Sequence, residues 1–168
     1  LRGSADARKT ELAWVEGADL ATGEPVFVPF DVVHLDTCPG ARRTASPFFW
    51  SSNGLASGNH WLEAVCAGLC EVIERDALSL WRRWTARERA ARRIAPRTIR
   101  APTCRALLDR IEERGIKVAM WNITSDIGVA CFVCRIDDDG ASHAGLGAFW
   151  GAGAHLARDV ALTRAVTE

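Results

Sequence analysis

Residues 59–84 constrain the fold most. This stretch contains no proline and one glycine, and Leu62, Cys66, Leu69, Ile73, Leu80 and Trp84 recur in it at three-, four- or seven-residue steps. That period places them on one face of an α-helix. Asn59, just ahead of the run, is of a residue type that caps helix N-termini. The pattern predicts one long helix continuing through the following arginines and ending by Pro96. At about 100° per residue, Glu71, Glu74 and Arg75 point away from the apolar stripe. Ala64, Ala67, Gly68 and Leu78 share that charged face. A solvated face has no need of small residues, and an interior Gly costs about 1 kcal/mol against Ala. Small residues there imply that something approaches the backbone closely.

The last stretch repeats this pattern. Ala157, Ala161 and Ala165 fall four residues apart, Glu168 follows on the same side, and Arg164 is its neighbour. Two helices with small faces can pack closely and aim Glu71, Glu74 and Glu168 at one cavity. Converging carboxylates repel one another unless they are protonated or neutralised. Hard divalent cations with oxygen ligands are the natural solution, Mg²⁺ above all where phosphates complete the shell.

Between the helices the chain alternates strand and helix signals. Leu12–Val15 and Val26–Val28 flank Ala21-Thr22-Gly23-Glu24, the signature of a hairpin. Asp36 to Gly58 reads as a loop, though it holds Phe48-Phe49-Trp50. A second helix spans about Thr103 to Glu113 and closes at Gly115. Strands cover 118–123, 129–136 and about 144–150, with Asp137-Asp138-Asp139-Gly140 as a turn. Gly151-Ala152-Gly153 then leads into a helix from about Ala154. The fold class expected is α+β, a mixed layered arrangement of sheet and helices. The chain is 168 residues long, starting at Leu1 and stopping at Glu168 within a helical pattern, which reads as a partial domain of a longer protein.

Composition narrows the function. Twenty-one Lys plus Arg balance twenty-one Asp plus Glu, so the chain presents no extended basic footprint for nucleic acid or an anionic membrane. No run approaches the roughly 18–20 apolar residues that span a bilayer. Six cysteines are too few for a disulfide-dense scaffold, and free thiols point to the cytoplasm.

Ser51-Ser52-Asn53-Gly54-Leu55-Ala56-Ser57-Gly58-Asn59 runs straight into the long helix. Its glycines permit close approach to a helix N-terminus, where free N–H groups favour anions. It is not a Walker A loop, since no G-K-[ST] follows. Joined to carboxylates further down the helix, it forms a plausible nucleotide triphosphate–Mg²⁺ site. This string, continuing to Glu71-Val72-Ile73-Glu74-Arg75-Asp76-Ala77, resembles the first nucleotide-binding motif of the YcaO family (51–77). Gly151-Ala152-Gly153-Ala154-His155 through Arg164-Ala165-Val166-Thr167-Glu168 resembles the start of its second (151–168). The wording around Cys70-Glu71-Val72-Ile73-Glu74-Arg75 is nearest to members encoded beside TfuA proteins.

The resemblance implies a YcaO-type fold and an enzyme that uses ATP and Mg²⁺ to activate a peptide backbone amide. The amide oxygen becomes a phosphate leaving group, and the product is an azoline, a thioamide or an amidine according to the nucleophile. Thioamide formation with a TfuA-like partner is the leading expectation. Azoline cyclodehydration with a leader-binding partner is the alternative, and a non-catalytic nucleotide-binding scaffold the third. By position, Glu71, Glu74 and Glu168 correspond to metal-binding glutamates. Ser52, Asn53, Asn59 and Arg75 fall where the family contacts phosphate or nucleotide, and His155 is a further nucleotide or substrate candidate. A peptide or protein substrate, a homo-oligomeric parent and a bacterial cytoplasmic setting complete the expectation. The family domain continues past Glu168, so this chain alone is expected to bind ATP–Mg²⁺ weakly.

Other features have plainer readings. Cys131 and Cys134 have zinc-like spacing, but strand alternation sends them to opposite faces. His34, His60 and His143 read as surface or packing residues, and the seven tryptophans, Trp81 and Trp84 included, as core. The arginines from Arg82 to Arg100 read as a solvated face, with an acidic leader peptide or partner as the functional alternative.

Overall fold

The computed structural model describes residues 11–35, 48, 51–138 and 147–168. The chain divides into two compact units, Leu1–Leu55 and Ala56–Glu168, and the division falls within the 51–77 stretch. Phe49, Trp50, Cys38, His143 and the 139–146 connection, including part of the expected turn, lie outside the described residues.

In the first unit, β1 (Trp14–Ala18) and β2 (Pro25–Pro29) form the antiparallel hairpin expected, and a short helix α1 (Phe30–Val33) follows. The Asp19 carboxylate accepts the N–H groups of Ala21 and Thr22, each at 2.8 Å, and Gly23 takes the positive φ (77°) that closes the turn. Those hydrogen bonds hold the Asp19 carboxyl below its usual range.

The second unit is a four-stranded antiparallel sheet between helices, in the order β3 (Arg93–Ile94), β4 (Lys117–Asn122), β5 (Ala130–Asp138), β6 (Gly147–His155). The helices are α2 (Trp61–Arg83), α3 (Ala86–Ala91), α4 (Pro102–Glu112) and α5 (Arg158–Thr167). The α+β class expected is the one found.

Strand alternation builds a core on each face. On one, Cys104 and Leu108 of α4 and Ala161, Leu162, Ala165 and Val166 of α5 pack on Met120, Phe132 and Cys134. On the other, Ala77 and Trp81 of α2 pack on Cys131, Val133, Ala152 and Ala154. Cys131 and Cys134 thus sit on opposite faces, and burial pushes each thiol up to about 12.

Three expectations are corrected. The N-cap of α2 is His60, whose Nδ1 accepts the Leu62 N–H at 3.2 Å; Asn59 instead donates its N–H to Glu63 Oε2 at 2.8 Å. The helix does not run on to Pro96: Trp84 is extended (φ −64°, ψ 142°), and Thr85 restarts the chain as α3 through a capping box with Glu88. Residues 151–155 are strand, so His155 closes β6 and α5 begins three residues later.

Candidate functional site

The buried face of α2 lies about a quarter-turn from the stripe of large apolar residues. Cys70, Glu74, Ala77 and Trp81 turn to the sheet, while Leu62 and Leu69 stay 54% and 49% exposed. Glu74 is therefore a core residue, 6% exposed. Its Oε2 accepts the N–H of Ala154 at 3.0 Å. β6 is the edge strand, so this carboxylate covers an edge N–H that would otherwise be orphaned.

The glycines of the 151–155 segment, expected to lead into a helix, lie in strand β6 and have a packing role. A Cβ on Gly151 would lie 2.6 Å from the Ala165 carbonyl oxygen. One on Gly153 would meet the Ala161 carbonyl and stand 2.6 Å from the Ala165 amide nitrogen. The small face of α5 therefore rests on the bare backbone of β6, while α2 packs against the other face of that strand through Ala152 and Ala154. The two small-faced helices meet the same strand from opposite sides, which is how small residues on both sequences serve one place.

This arrangement brings Glu74 within reach of the charge of Glu168. Burial raises the Glu74 carboxyl above the usual range and the charge of Glu168 raises it further; the Ala154 N–H, Arg164 and Arg75 oppose the rise. Arg164, absent from the expected site residues, stands between the two carboxylates electrostatically. Its Nε and Nη2 donate to Glu168 Oε1 at 3.0 and 2.7 Å, and the Glu74 charge also acts on it. Its signal in sequence was the Arg164–Glu168 spacing of four.

Glu71 is half-buried, with Arg75 Nη2 3.4 Å from its Oε1. Arg75 itself is exposed. Asn59 is exposed at the start of α2, where Gly58 lies so close to the helix that a Cβ would stand 2.7 Å from the Ala64 nitrogen. His155 Nδ1 accepts the Ala157 N–H at 2.9 Å, shaping the turn into α5. Ser52 and Asn53 are exposed in the first unit, in a turn where the Leu55 N–H donates to the Ser52 carbonyl and Gly54 takes φ 78°. Among the described residues no three His, Cys, Asp or Glu side chains are gathered to hold a metal. The donor set nonetheless suits a divalent cation. The Glu74 carboxylate is buried and feels the charge of Glu168; a hard cation with oxygen ligands relieves both costs.

Residues 4–168 match the family described as YcaO cyclodehydratase, ATP- and Mg²⁺-binding. The chain belongs to the YcaO family. It is 36% identical over 164 residues to a protein from the tfuA 3′ region of Rhizobium leguminosarum bv. trifolii, covering 94% of this chain and 38% of that one. The YcaO fold extends to solved structures. The heterocyclase TruD matches with a TM-score of 0.70 and 26% identity, over 92% of this chain and 21% of TruD. The YcaO of Methanopyrus kandleri, bound with AMPPCP and Mg²⁺, matches with a TM-score of 0.62 and 26% identity, over 94% of this chain and 40% of that one. The chain spans about two-fifths of the length of the curated relatives it matches. ATP and Mg²⁺ are the cofactors of this YcaO family.

Proposed function

We propose that the full-length protein uses ATP and Mg²⁺ to phosphorylate a backbone amide oxygen in a ribosomally made peptide or protein, and that a sulfur nucleophile converts that amide to a thioamide. The observation that carries this reading is the buried Glu74 carboxylate at the β6 edge, facing Glu168 and Arg164. Glu74 and Glu168 would hold the metal, which neutralises phosphate charge when bound; Glu71, one turn up α2 and not gathered with them here, is the third ligand that motif position implies. ATP supplies the phosphoryl group that turns a poor leaving oxygen into a good one.

The chain's own residues contribute positioning and charge. Glu74 is fixed by the Ala154 N–H, and its ionised form is the one a cation selects. Arg164 holds Glu168 through two hydrogen bonds from one side. Ser52, Asn53, Asn59, Arg75 and His155 are assigned to phosphate, nucleotide or substrate contact. The tfuA setting of one relative favours sulfur delivery and a TfuA-like partner. The likeness to a heterocyclase favours a second reading, azoline formation by a Cys, Ser or Thr side chain of the substrate. The free thiols Cys66, Cys70, Cys104, Cys131 and Cys134 support a reducing, cytoplasmic setting.

The test is mass spectrometry of a candidate peptide incubated with the full-length protein, ATP, Mg²⁺ and sulfide. Exchange of oxygen for sulfur is expected; loss of water selects the azoline reading. Nucleotide binding without turnover selects a scaffold. Glu71→Gln and Glu74→Gln are each expected to lower turnover by about a hundredfold or more, and wild-type rates in both would remove the metal assignment.

A further inference from the structure

Two turns along α2 from Glu74 lies a second cluster that the site above does not use. Trp81 of α2, Trp121 of β4 and Trp150 of β6 pack mutually, with ring centroids 5.5 to 5.8 Å apart. Trp150 is 51% exposed. Arginines border the group. The Arg89 guanidinium sits 4.6 Å from the Trp81 ring centre, and that of Arg135 5.5 Å from Trp150. Arg92 lies 5.4 Å from the neighbouring Trp84. Arg93 is the cross-strand partner of Trp121, so its side chain leaves the sheet on the same face.

The cluster has many donors and few acceptors. Between Arg82 and Arg100 stand eight arginines and one acidic residue, Glu88. Glu88 is taken up by the N–H and hydroxyl of Thr85, at 2.6 and 2.8 Å. Among the described residues none of the eight arginines forms an ion pair with a carboxylate; Arg135 alone in the cluster has one, Asp137. Trp81 Nε1, Arg89 Nε and Arg135 Nε are buried donors with no acceptor among the described residues. An unmet buried donor is costly, and the guanidinium groups of the exposed Arg92 and Arg93 beside them are the ones open to acceptors from outside.

We propose that this arginine-bordered tryptophan cluster docks an acidic peptide segment of a partner protein. Carboxylates are acceptor-only and match guanidinium groups in geometry and charge. Trp and Arg are the residue types that dominate interface energetics, and stacking on the rings fixes the guanidinium planes before a ligand arrives. Nucleic acid fits less well. Single strands need bare aromatic faces on which to stack, and here the Trp81 and Trp84 faces carry arginines. The cluster shares no residue with the Glu74 site, so its failure and the failure of the amide-activating reading are separate results.

The test is fluorescence anisotropy of the full-length protein with a labelled oligo-glutamate peptide, and in parallel with labelled oligothymidylate. Arg92→Gln with Arg93→Gln is expected to weaken peptide binding about tenfold or more, as loss of paired interfacial charge does. Trp150→Leu should weaken it also. Arg110→Gln with Arg114→Gln, on the exposed C-terminal end of α4, should change it less than about twofold. Circular dichroism confirms that each variant is folded. No binding by the wild type, equal loss in both arginine pairs, or oligothymidylate binding as tight as the peptide would each overturn the proposal.

Discussion

Ionised Glu74 is disfavoured twice over, by its removal from water and by the charge of Glu168. Its raised folded-state pKa means that the stability it contributes is fully present below the ordinary carboxylate range. That contribution is lost as pH rises through the raised value. Glu74→Gln keeps an oxygen for the Ala154 N–H and cannot ionise. In thermal melts of the metal-free full-length protein, the variant should equal wild type in acid and melt higher at neutral pH. Mg²⁺ should narrow the neutral gap by stabilising wild type alone. A wild-type protein at least as stable as the variant at neutral pH without metal would contradict the assigned strain. Periodicity could not have revealed this burial. The large apolar side chains of α2 define a stripe from Leu62 to Leu80, and burial instead follows the smaller Cys70 and Ala77, with Trp81, a quarter-turn away. The small residues beside Glu74 signalled a close approach to its face, and the motif assigned it a metal role.

At the level of elements, the hairpin, α4 and the β4 and β5 strands were legible because turn glycines and uninterrupted strand patterns lie in the local sequence. The break after α2 was legible too, as Thr85-x-x-Glu88, but the continuing helical period concealed it. Gly151 and Gly153 were misread for a physical reason. Glycine permits both a turn and a close crossing, and only the packed partner distinguishes them. Here that partner is the α5 backbone, so Gly153→Ala should destabilise the protein by about 1–3 kcal/mol or more. It should also weaken Mg²⁺ binding by displacing Glu168. Urea titration and calorimetry measure the two effects, and an unchanged midpoint would mean that strand and helix are not in the close contact described. Substituting Gly23, which has open space around it, tests turn strain in isolation.

Over the molecule as a whole, α2 presents exposed apolar side chains among the described residues: Leu62, Leu69 and Leu80 of the apolar stripe, with Trp61 and Val72 beside it. Contiguous exposed apolar area drives association. The 168-residue chain expressed alone should therefore self-associate, and Leu69→Lys with Leu80→Lys should shift it toward monomer in sedimentation velocity. A monomeric parent chain at the same concentration would show that this stripe is too small or too broken to matter.

The two carboxylates reach their meeting point from opposite layers, Glu74 from the α2 side of β6 and Glu168 from the α5 side. Neither helix can assemble the pair alone. With this pair as the proposed cation ligands, magnesium affinity would be a readout of tertiary assembly: a collapsed intermediate with its helices formed but β6 unzipped would already give a native-like far-ultraviolet spectrum and still bind no magnesium.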